Sequence, residues 1–235
     1  MEVFDCHCHL SFMNIKSVRQ LLEKSMDSDR WIMGGYNPDE WKKQLIIKSL
    51  SPNKLKCSFG IHPWHVVNES FNLKEDLETL KELINQADLV GELGLDYSLR
   101  QDKQKEKQVE VFQAQLELQS NKPYVFHIVQ AHEDALDIIK QQTNKKGFIH
   151  AFSGSFEQAK QYMNQGLFLS YGRSLINSKN KKARETFIKI PLEFILIESD
   201  SPHSPSSQEP PDKIYKEILD IACELKKIKP DIFLK

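Results

Sequence analysis

The sequence predicts a single α/β domain, a (β/α)8 TIM barrel over residues 1–235, and three observations support that fold. The length of 235 residues suits a closed α/β barrel, which commonly forms one domain of this size. Short apolar runs alternate eight times with longer segments of helical spacing or helix-forming composition. The short runs are mostly apolar throughout, as expected of parallel strands covered by helices. A doubly wound open sheet is the alternative, because periodicity does not reveal whether a sheet closes.

Each predicted strand precedes one predicted helix along the chain. The strands are expected near residues 3–8, 30–36, 55–61, 88–94, 124–128, 147–152, 167–172 and 194–199. The helices are expected near residues 14–26, 38–50, 73–86, 103–120, 131–142, 155–165, 179–189 and 211–228. The serine- and proline-rich segment 199–207 is expected to form a loop after the last strand, on the face of the site.

Composition and charge narrow the class of protein. A hydrophobic content of 40% is enough for a core, and a net charge of -1 predicts no strong long-range attraction to nucleic acid or to a membrane. No apolar run approaches the ~20 residues of a transmembrane helix. The cysteines form no CxxC pair and the chain starts directly with a predicted strand. We therefore expect reduced cysteines in a cytoplasmic protein without a signal peptide.

The first predicted strand ends in two histidines one residue apart. Successive side chains of a strand point to opposite faces, so His7 and His9 are expected to share one face and to reach a single ion. The same alternation places Cys6 and Cys8 together on the other face. The pair of histidines predicts a metal-binding strand end, and two polar residues that merely close a strand are the alternative.

The remaining histidines follow the same pattern, since each lies on, or just beyond, the catalytic side of a predicted strand. They are His62 and His65 at strand three, His127 and His132 at strand five, His150 at strand six and His203 after strand eight. In a (β/α)8 barrel the carboxyl ends of the strands form the active-site face. Random placement would put several histidines within helices, so the pattern indicates a functional site at this face.

Two carboxylates in apolar strands complete the predicted metal site. Glu92 lies within strand four and Asp200 ends strand eight, and a buried carboxylate is costly unless it is paired, hydrogen-bonded or bound to metal. A structural salt bridge is the alternative for each. The donor set is too large for one tetrahedral ion and suits two divalent ions, such as Mg, Mn or Zn. We assign the ligands as follows: one ion to His7, His9 and Asp200, the other to His127 and His150, and the bridge to Glu92.

Six blocks of the sequence resemble the TatD family of metal-dependent hydrolases, a branch of the amidohydrolase-like barrels. They span nearly the whole chain in the family order: 5–10 (DCHCHL), 60–63 (GIHP), 91–97 (GELGLDY), the segment around His127, 150–154 (HAFSG) and 198–202 (ESDSP). The resemblance implies a two-metal site on the six residues assigned above. It also implies hydrolysis of phosphodiester bonds, as a deoxyribonuclease of exonuclease character with DNA as the substrate.

The expected catalytic residues are Glu92, Asp200 and His62. A hydroxide bridging two divalent ions would attack the phosphorus atom, because metal binding can lower the pKa of water from 15.7 to about 7. Asp200 would ligate one ion and accept the proton of the attacking water, and Glu92 would hold both ions. His62 is expected to contact the substrate oxygen.

The expected substrate-binding residues are His62, Trp64, His65 and Arg173. Trp64 could stack on a splayed base, which would suit a single strand or an end. Arg173, just after strand seven, is expected to bind phosphate, with Arg100 as a second arginine on the same face.

Several departures from the family pattern concern substrate contacts. Val129 stands where the family often has an arginine after strand five. Trp64 follows Pro63 where the family usually has a second histidine, and His65 comes one place later. Residues 208–210 (QEP) follow a loop without arginine, and the sequence stops at residue 235, before a last helix that many members have. None of these departures falls on a predicted metal ligand.

Two other functions are kept as alternatives. The first is a barrel hydrolase of a small amide or ester, such as a deacylase. The second is a non-catalytic nucleic-acid-binding or scaffold protein with a vestigial site. Intact ligands at all six positions and the near-zero net charge argue against the second. No obligate protein partner is evident from the sequence.

Overall fold

A barrel of eight parallel strands forms the centre of the computed structural model, which describes residues 2–99, 102–118, 120–207 and 209–233. The strands are β1 (Phe4–Cys8), β2 (Arg30–Met33), β3 (Leu55–Phe59), β4 (Leu89–Asp96), β5 (Tyr124–Val129), β6 (Gly147–His150), β7 (Phe168–Tyr171) and β8 (Ile195–Ile197). Each strand is hydrogen-bonded to the next in chain order. Just beyond β8, the Asp200 amide donates to the His7 carbonyl at 3.0 Å, which brings the last strand against β1. The (β/α)8 fold predicted from the sequence is confirmed.

Helices cover the outside of the barrel between successive strands. They are α1 (Ile15–Lys24), α2 (Pro38–Leu50), α3 (Pro63–Val66), α4 (Leu73–Leu83), α5 (Asp102–Leu116), α6 (His132–Lys140), α7 (Phe156–Asn164), α8 (Lys181–Lys189) and α9 (Pro211–Lys226). Local signals start several of them: the Asn37 side chain accepts the first free amides of α2, and Ser155 forms a capping box at α7. Among the helices in the described ranges, none is long and apolar enough to cross a membrane.

The core has two layers, one inside the barrel and one between the barrel and the helices. Cys6 packs in the inner cluster with Val125 and Phe148, whereas Cys8 packs in the larger outer cluster. The prediction that these two cysteines share a face was wrong. The pairing of β1 with β2 shifts register between Asp5 and Cys8, and this irregularity breaks the simple alternation of side chains.

Two buried glutamines of α5 pair with the backbone at the carboxyl ends of β3 and β4. Gln115 accepts from the Ile61 amide at 2.6 Å and donates to the Ile61 carbonyl at 3.1 Å. Gln108 makes the same pair of bonds to the backbone of Asp96, at 2.7 and 3.1 Å. These side chains satisfy backbone groups where the strands separate at the active-site face.

Candidate metal centre

The carboxyl ends of five strands bring the six predicted metal ligands into one cluster. Those ligands are His7 and His9 from the end of β1, Glu92 from β4, His127 from β5, His150 from β6 and Asp200 from the loop after β8. The histidines of β1 and the Glu92 side chain are almost fully buried, whereas the Asp200 side chain is 30% exposed. The cluster is therefore open to solvent on the Asp200 side.

Glu92 lies at the centre of the cluster, with each carboxylate oxygen facing a different pair of histidines. Its Oε1 atom is 3.4 Å from His7 Nε2 and 3.9 Å from His9 Nε2. Its Oε2 atom is 3.8 Å from His127 Nδ1 and 3.6 Å from His150 Nε2. A carboxylate shared between two ions would have this arrangement.

Asp200 lies on the His9 side of this arrangement. Its Oδ1 atom is 3.2 Å from His9 Nε2 and 4.0 Å from His7 Nε2. The residue has a left-handed backbone conformation, with φ of 49°. Aspartate adopts this conformation more readily than most residues, so the chain can turn here and direct the carboxylate at the cluster.

Unpartnered buried atoms indicate that the cluster is built for metal. Among the described residues, both ring nitrogens of His7, Nδ1 of His9 and Oε1 of Glu92 are buried without a hydrogen-bond partner. Such atoms are costly in a protein interior unless something satisfies them. In the part of the chain that the structure describes, three groups have ligand atoms within 4.8 Å of one another: His7, His9 and Glu92; His7, His150 and Asp200; His62, Glu92 and His127. Nitrogen and carboxylate donors in this setting fit divalent metal ions.

The two carboxylates at the centre are ionised at neutral pH. Burial alone would raise the pKa of Glu92, but the neighbouring histidines, His7 first, hold it well below its usual range. Burial also acts to raise the pKa of Asp200, and the hydrogen bond with His9 and the charge of His150 outweigh it, so the net shift is downward. Both groups are therefore in the form that binds metal.

A buried carboxylate orients His150. Glu198 is fully buried, and its Oε2 atom is 3.1 Å from His150 Nδ1. Glu198 also accepts from the Ala151 amide at 2.9 Å and from the Ser170 hydroxyl at 2.5 Å. With Nδ1 held by Glu198, Nε2 is the nitrogen of His150 that faces Glu92 and would bind a metal ion once it has lost its proton. This role of Glu198 was not predicted from the sequence, although a carboxylate next to the apolar strand β8 needs a partner when it is buried.

A second carboxylate orients His127 in the same way. Asp96 Oδ2 lies 3.3 Å from His127 Nε2, which leaves His127 Nδ1 directed at Glu92. Asp96 also accepts from the Trp64 indole at 2.7 Å and from the Ser98 amide at 3.0 Å. Asp96 ends the apolar β4 run, so its position at a strand end was the available signal.

The geometry of His62 directs its Nε2–H group toward the cluster. Its Nε2 atom is 3.7 Å from Glu92 Oε2, and its Nδ1 atom accepts from the Trp64 amide at 3.0 Å. Because a backbone amide can only donate, Nδ1 carries no proton, and the neutral ring carries its proton on Nε2. Burial lowers the pKa of His62 well below its usual value, so the ring is neutral. A protonated Nε2 cannot ligate metal.

Strand β2 contributes space to the cluster. A Cβ atom on Gly34, just after β2, would lie 2.2 Å from His7 Cε1 and 2.7 Å from Glu92 Oε1. These distances are too short for any side chain, so only glycine lets the backbone come this close to the ligands. This role of Gly34 could not be predicted from the sequence, because a glycine in an apolar strand segment has no side chain that indicates a function.

Aromatic rings line one side of the cluster. Trp64 is 50% exposed, and its ring stacks on that of Tyr36 with 5.9 Å between the ring centroids. The Tyr36 ring also stacks on the His9 ring, at a centroid distance of 5.2 Å, and contacts the His62 ring edge-on, at a centroid distance of 4.4 Å. The structure therefore places Trp64 on the rim of the cluster, next to the predicted ligands.

Three of the eight histidines have partners in other parts of the barrel. His65, predicted to contact the substrate, has its Nε2 atom 2.9 Å from Asp76 of α4. His132 Nδ1 is 3.0 Å from the Tyr162 hydroxyl. His203 Nδ1 is 3.1 Å from Glu209 Oε2, in the loop after β8.

Arg173, predicted to bind phosphate, is paired with a carboxylate in this structure. Its Nη2 atom is 2.6 Å from Glu209 Oε2, and Nη1 is 3.5 Å from Oε1. The second arginine considered from the sequence, Arg100, lies outside the described residues.

A family model and several known proteins match most of this chain. The model of TatD-related DNases matches residues 4–235. An uncharacterized metal-dependent hydrolase of Haemophilus influenzae is 28% identical over 220 residues, covering 87% of this chain and 83% of the relative. A putative deoxyribonuclease TATDN1 homolog of Enterocytozoon bieneusi is 32% identical over 213 residues, covering 86% of this chain and 75% of the relative. The uncharacterized metal-dependent hydrolase YabD of Bacillus subtilis is 34% identical over 210 residues, covering 85% and 80%.

The solved structures agree on the architecture. The TatD homologue YJJV of Escherichia coli K12 matches with a TM-score of 0.84 at 23% identity, over 99% of this chain and 93% of the other. A TatD-family hydrolase of Entamoeba histolytica matches with a TM-score of 0.81 at 22% identity, over 100% and 94%. At this level of identity the likeness establishes a shared fold.

Proposed function

Because the chain belongs to the TatD-related DNase family, a family of metal-dependent hydrolases, we propose that it hydrolyses phosphodiester bonds in DNA. The observation that carries the proposal is the position of Glu92, whose two oxygens face separate histidine pairs. Relatives named as metal-dependent hydrolases support the chemistry, and the putative deoxyribonuclease homolog supports DNA as the substrate. The four free, buried cysteines support a cytoplasmic location.

Two divalent ions, of Mg, Mn or Zn, would occupy the cluster. The proposed ligands are His7, His9 and Asp200 for the first ion, His127 and His150 for the second, and Glu92 shared between them. When bound, such ions polarise a phosphodiester and lower the pKa of a bound water from 15.7 to about 7, which supplies a nucleophile at neutral pH.

The protein's own groups then hold and orient the reactants. His62 donates a hydrogen bond from Nε2–H to a phosphate oxygen, a role that its neutral ring and fixed tautomer support. Asp200 has a partly exposed carboxylate, so it can meet a water from solvent and accept a proton. Glu198 and Asp96 keep His150 and His127 turned toward Glu92.

Trp64 provides a platform for a base. Half of its surface is exposed, and its orientation is fixed by the hydrogen bond from its indole to Asp96. Stacking of a base on an aromatic ring contributes about 1–3 kcal/mol and requires an unpaired base. This favours single-stranded DNA or a strand end as the substrate.

The test is nucleotide release from end-labelled single-stranded DNA, with Mg, Mn or Zn against a chelator. We expect metal-dependent release by the wild type, none by Glu92→Gln, and wild-type release by Glu110→Gln, which changes an exposed carboxylate of α5. Metal-loaded protein that releases no nucleotide, but hydrolyses small amides or esters, would move the substrate to that class. Release that persists in Glu92→Gln would exclude Glu92 from the centre of the reaction.

A further inference from the structure

The carboxylate of Glu209 fills a small site on the active-site face of the barrel. We propose that Arg173, His203 and Ser207 form a phosphate-binding site, and that a phosphate group of the substrate strand displaces Glu209 from it. This inference rests on the proposed function, because it states how a polynucleotide is held beside the metal centre.

Three donor groups converge on one oxygen of Glu209. Its Oε2 atom is 2.6 Å from Arg173 Nη2, 3.1 Å from His203 Nδ1 and 3.3 Å from the Ser207 hydroxyl. Its Oε1 atom is 3.5 Å from Arg173 Nη1, so the guanidinium faces both oxygens. A guanidinium fork binds carboxylate and phosphate with the same geometry, and a hydroxyl and an imidazole also donate to phosphate oxygens.

The arginine has a donor that Glu209 does not use. Among the described residues, Arg173 Nε is buried without a hydrogen-bond partner. A guanidinium has five N–H donors, and a carboxylate offers only two oxygens to them. A phosphate group has more oxygens than a carboxylate, so it could engage Nε as well as the two Nη atoms.

The ion pair between Arg173 and Glu209 lies partly exposed to solvent, where a phosphate can replace the Glu209 carboxylate at little cost in free energy. The Arg173 side chain is 31% exposed and that of Glu209 is 39% exposed, and such exposed pairs contribute little to stability. His203 is more exposed still. An incoming phosphate therefore reaches the donors from solvent and replaces a weakly held anion.

The site adjoins the metal centre through Ser201. The Ser201 hydroxyl donates to the Glu209 carbonyl at 3.1 Å, and the Ser201 carbonyl accepts from the His9 amide at 2.9 Å. Ser201 directly follows Asp200 in the chain. A polynucleotide carries one phosphate per nucleotide, so a strand bound at the metal centre brings further phosphates to neighbouring positions.

The sign of one mutational effect separates this site from a simple loop contact. If Glu209 serves only to hold Arg173 in place, its loss weakens substrate binding. If Glu209 occupies a phosphate site, its loss strengthens binding, because the substrate no longer competes with a carboxylate. Glu209→Gln keeps the size of the side chain and removes the competing charge.

The first test uses inorganic phosphate and the full-length, Mg-loaded protein with 15N-labelled arginine. We expect the Nε–H resonance of Arg173 to respond to phosphate, at about threefold to tenfold lower concentration in Glu209→Gln than in the wild type, as expected when a competing charge is lost. Arg184, on α8, provides a control resonance. An Arg173 resonance in Glu209→Gln that responds no earlier than in the wild type would overturn the proposal.

The second test measures KM for single-stranded DNA. We expect Glu209→Gln to lower KM by about threefold to tenfold, and the double variant Arg173→Gln/Glu209→Gln to lose that gain. A raised KM in folded Glu209→Gln contradicts the proposal. If that variant does not fold, Arg173→Lys is measured instead. Loss of the guanidinium fork should raise KM for single-stranded DNA severalfold and leave kcat unchanged. An unchanged KM in this variant would contradict the proposal. A wild type that cleaves no DNA speaks against the proposed function alone, since the phosphate titration still decides this site.

Discussion

At the scale of single residues, the metal centre depends on side chains that hold other side chains. Glu198 accepts from His150, from Ser170 and from the Ala151 amide at once. The substitution Glu198→Gln replaces one acceptor oxygen by an NH2 group, which faces a donor on either side. We expect Mn²⁺ binding to weaken by about 10- to 100-fold, as for other partners of metal-binding histidines.

Calorimetric titration with Mn²⁺ measures this effect. Glu193→Gln is the matched control, since Glu193 precedes the same strand but is exposed. Equal Mn²⁺ affinity in Glu198→Gln and in the control would show that His150 does not need Glu198 to bind metal.

Two glycine substitutions should separate the metal centre from the stability of the fold. Gly34→Ala puts a methyl group against His7 and Glu92, so we expect Mn²⁺ affinity to fall by at least about tenfold. Gly166 has φ of 79° and open space around it, so Gly166→Ala should cost about 1 kcal/mol of stability and leave metal binding unchanged. Metal titration and thermal unfolding of both variants check this contrast. Wild-type Mn²⁺ affinity in Gly34→Ala would contradict it.

Residue chemistry was predictable from the sequence where it depended on position along a strand. His7, His9 and Glu92 could be grouped because parallel strands end at one face of a barrel. The partners of His65 and Arg173 could not, because Asp76 and Glu209 reach them only through the packing of helices and loops. The position of a residue at a strand end predicts the face of the barrel on which its side chain lies, but it does not predict which neighbouring side chain will pair with it.

At the scale of elements, α5 holds the ends of β3 and β4 in place. The substitution Gln115→Leu would leave the Ile61 amide and carbonyl buried without partners. Each buried unsatisfied group costs about 1–3 kcal/mol, so the loss of partners for these two groups should lower the free energy of unfolding by about 2–6 kcal/mol. Gln113→Leu, on the exposed side of α5, should change it by less than about 0.5 kcal/mol. Chemical denaturation measures the free energy of unfolding of both variants. Equal values would show that Gln115 of α5 does not stabilise the end of β3.

Asp88, which precedes β4, links α2 and β3 and should make their packing sensitive to acid. Burial acts to raise the pKa of Asp88, but the hydrogen bonds from Lys48 and from the Cys57 amide lower it below the ordinary value of 3.8. A depressed carboxyl pKa stabilises the fold above the unfolded value, and this contribution is lost as the pH falls through the folded value.

We therefore expect Asp88→Asn to lower the free energy of unfolding at pH 7 by roughly 1 kcal/mol, discounted for partial exposure. The difference from the wild type should shrink as the pH falls below 3.8. Denaturation at a series of pH values gives this difference directly, because other groups titrate equally in both proteins. A difference independent of pH would mean that charge plays no part.

The elements themselves were largely predictable, and the errors have physical causes. The observed strands begin within one residue of the predicted starts, because apolar runs bounded by polar segments mark them clearly. The short helix α3 was missed, since four residues show no periodicity; its start depends on the His62 side chain and on Pro63. The register shift in β1 was missed because it depends on pairing with β2.

At the scale of the whole molecule, the proposed metal centre exists only when the barrel is nearly closed. Its proposed ligands come from β1, β4, β5 and β6 and from the loop after β8, so no smaller unit contains the set. The contact of the Asp200 amide with the His7 carbonyl joins the two ends of the sheet at the site. Closure could be proposed from the count of eight strands, but the convergence of all six side chains at one site required the folded barrel.

The most direct measurement is the rate of nucleotide release from single-stranded DNA as a function of the number of Mn²⁺ ions bound per chain. We predict that release rises as occupancy passes from one ion to two, and that it is absent in Glu92→Gln at any occupancy. Protein with both ions bound that releases no nucleotide, or release at full rate by Glu92→Gln, would contradict a two-metal deoxyribonuclease centred on Glu92.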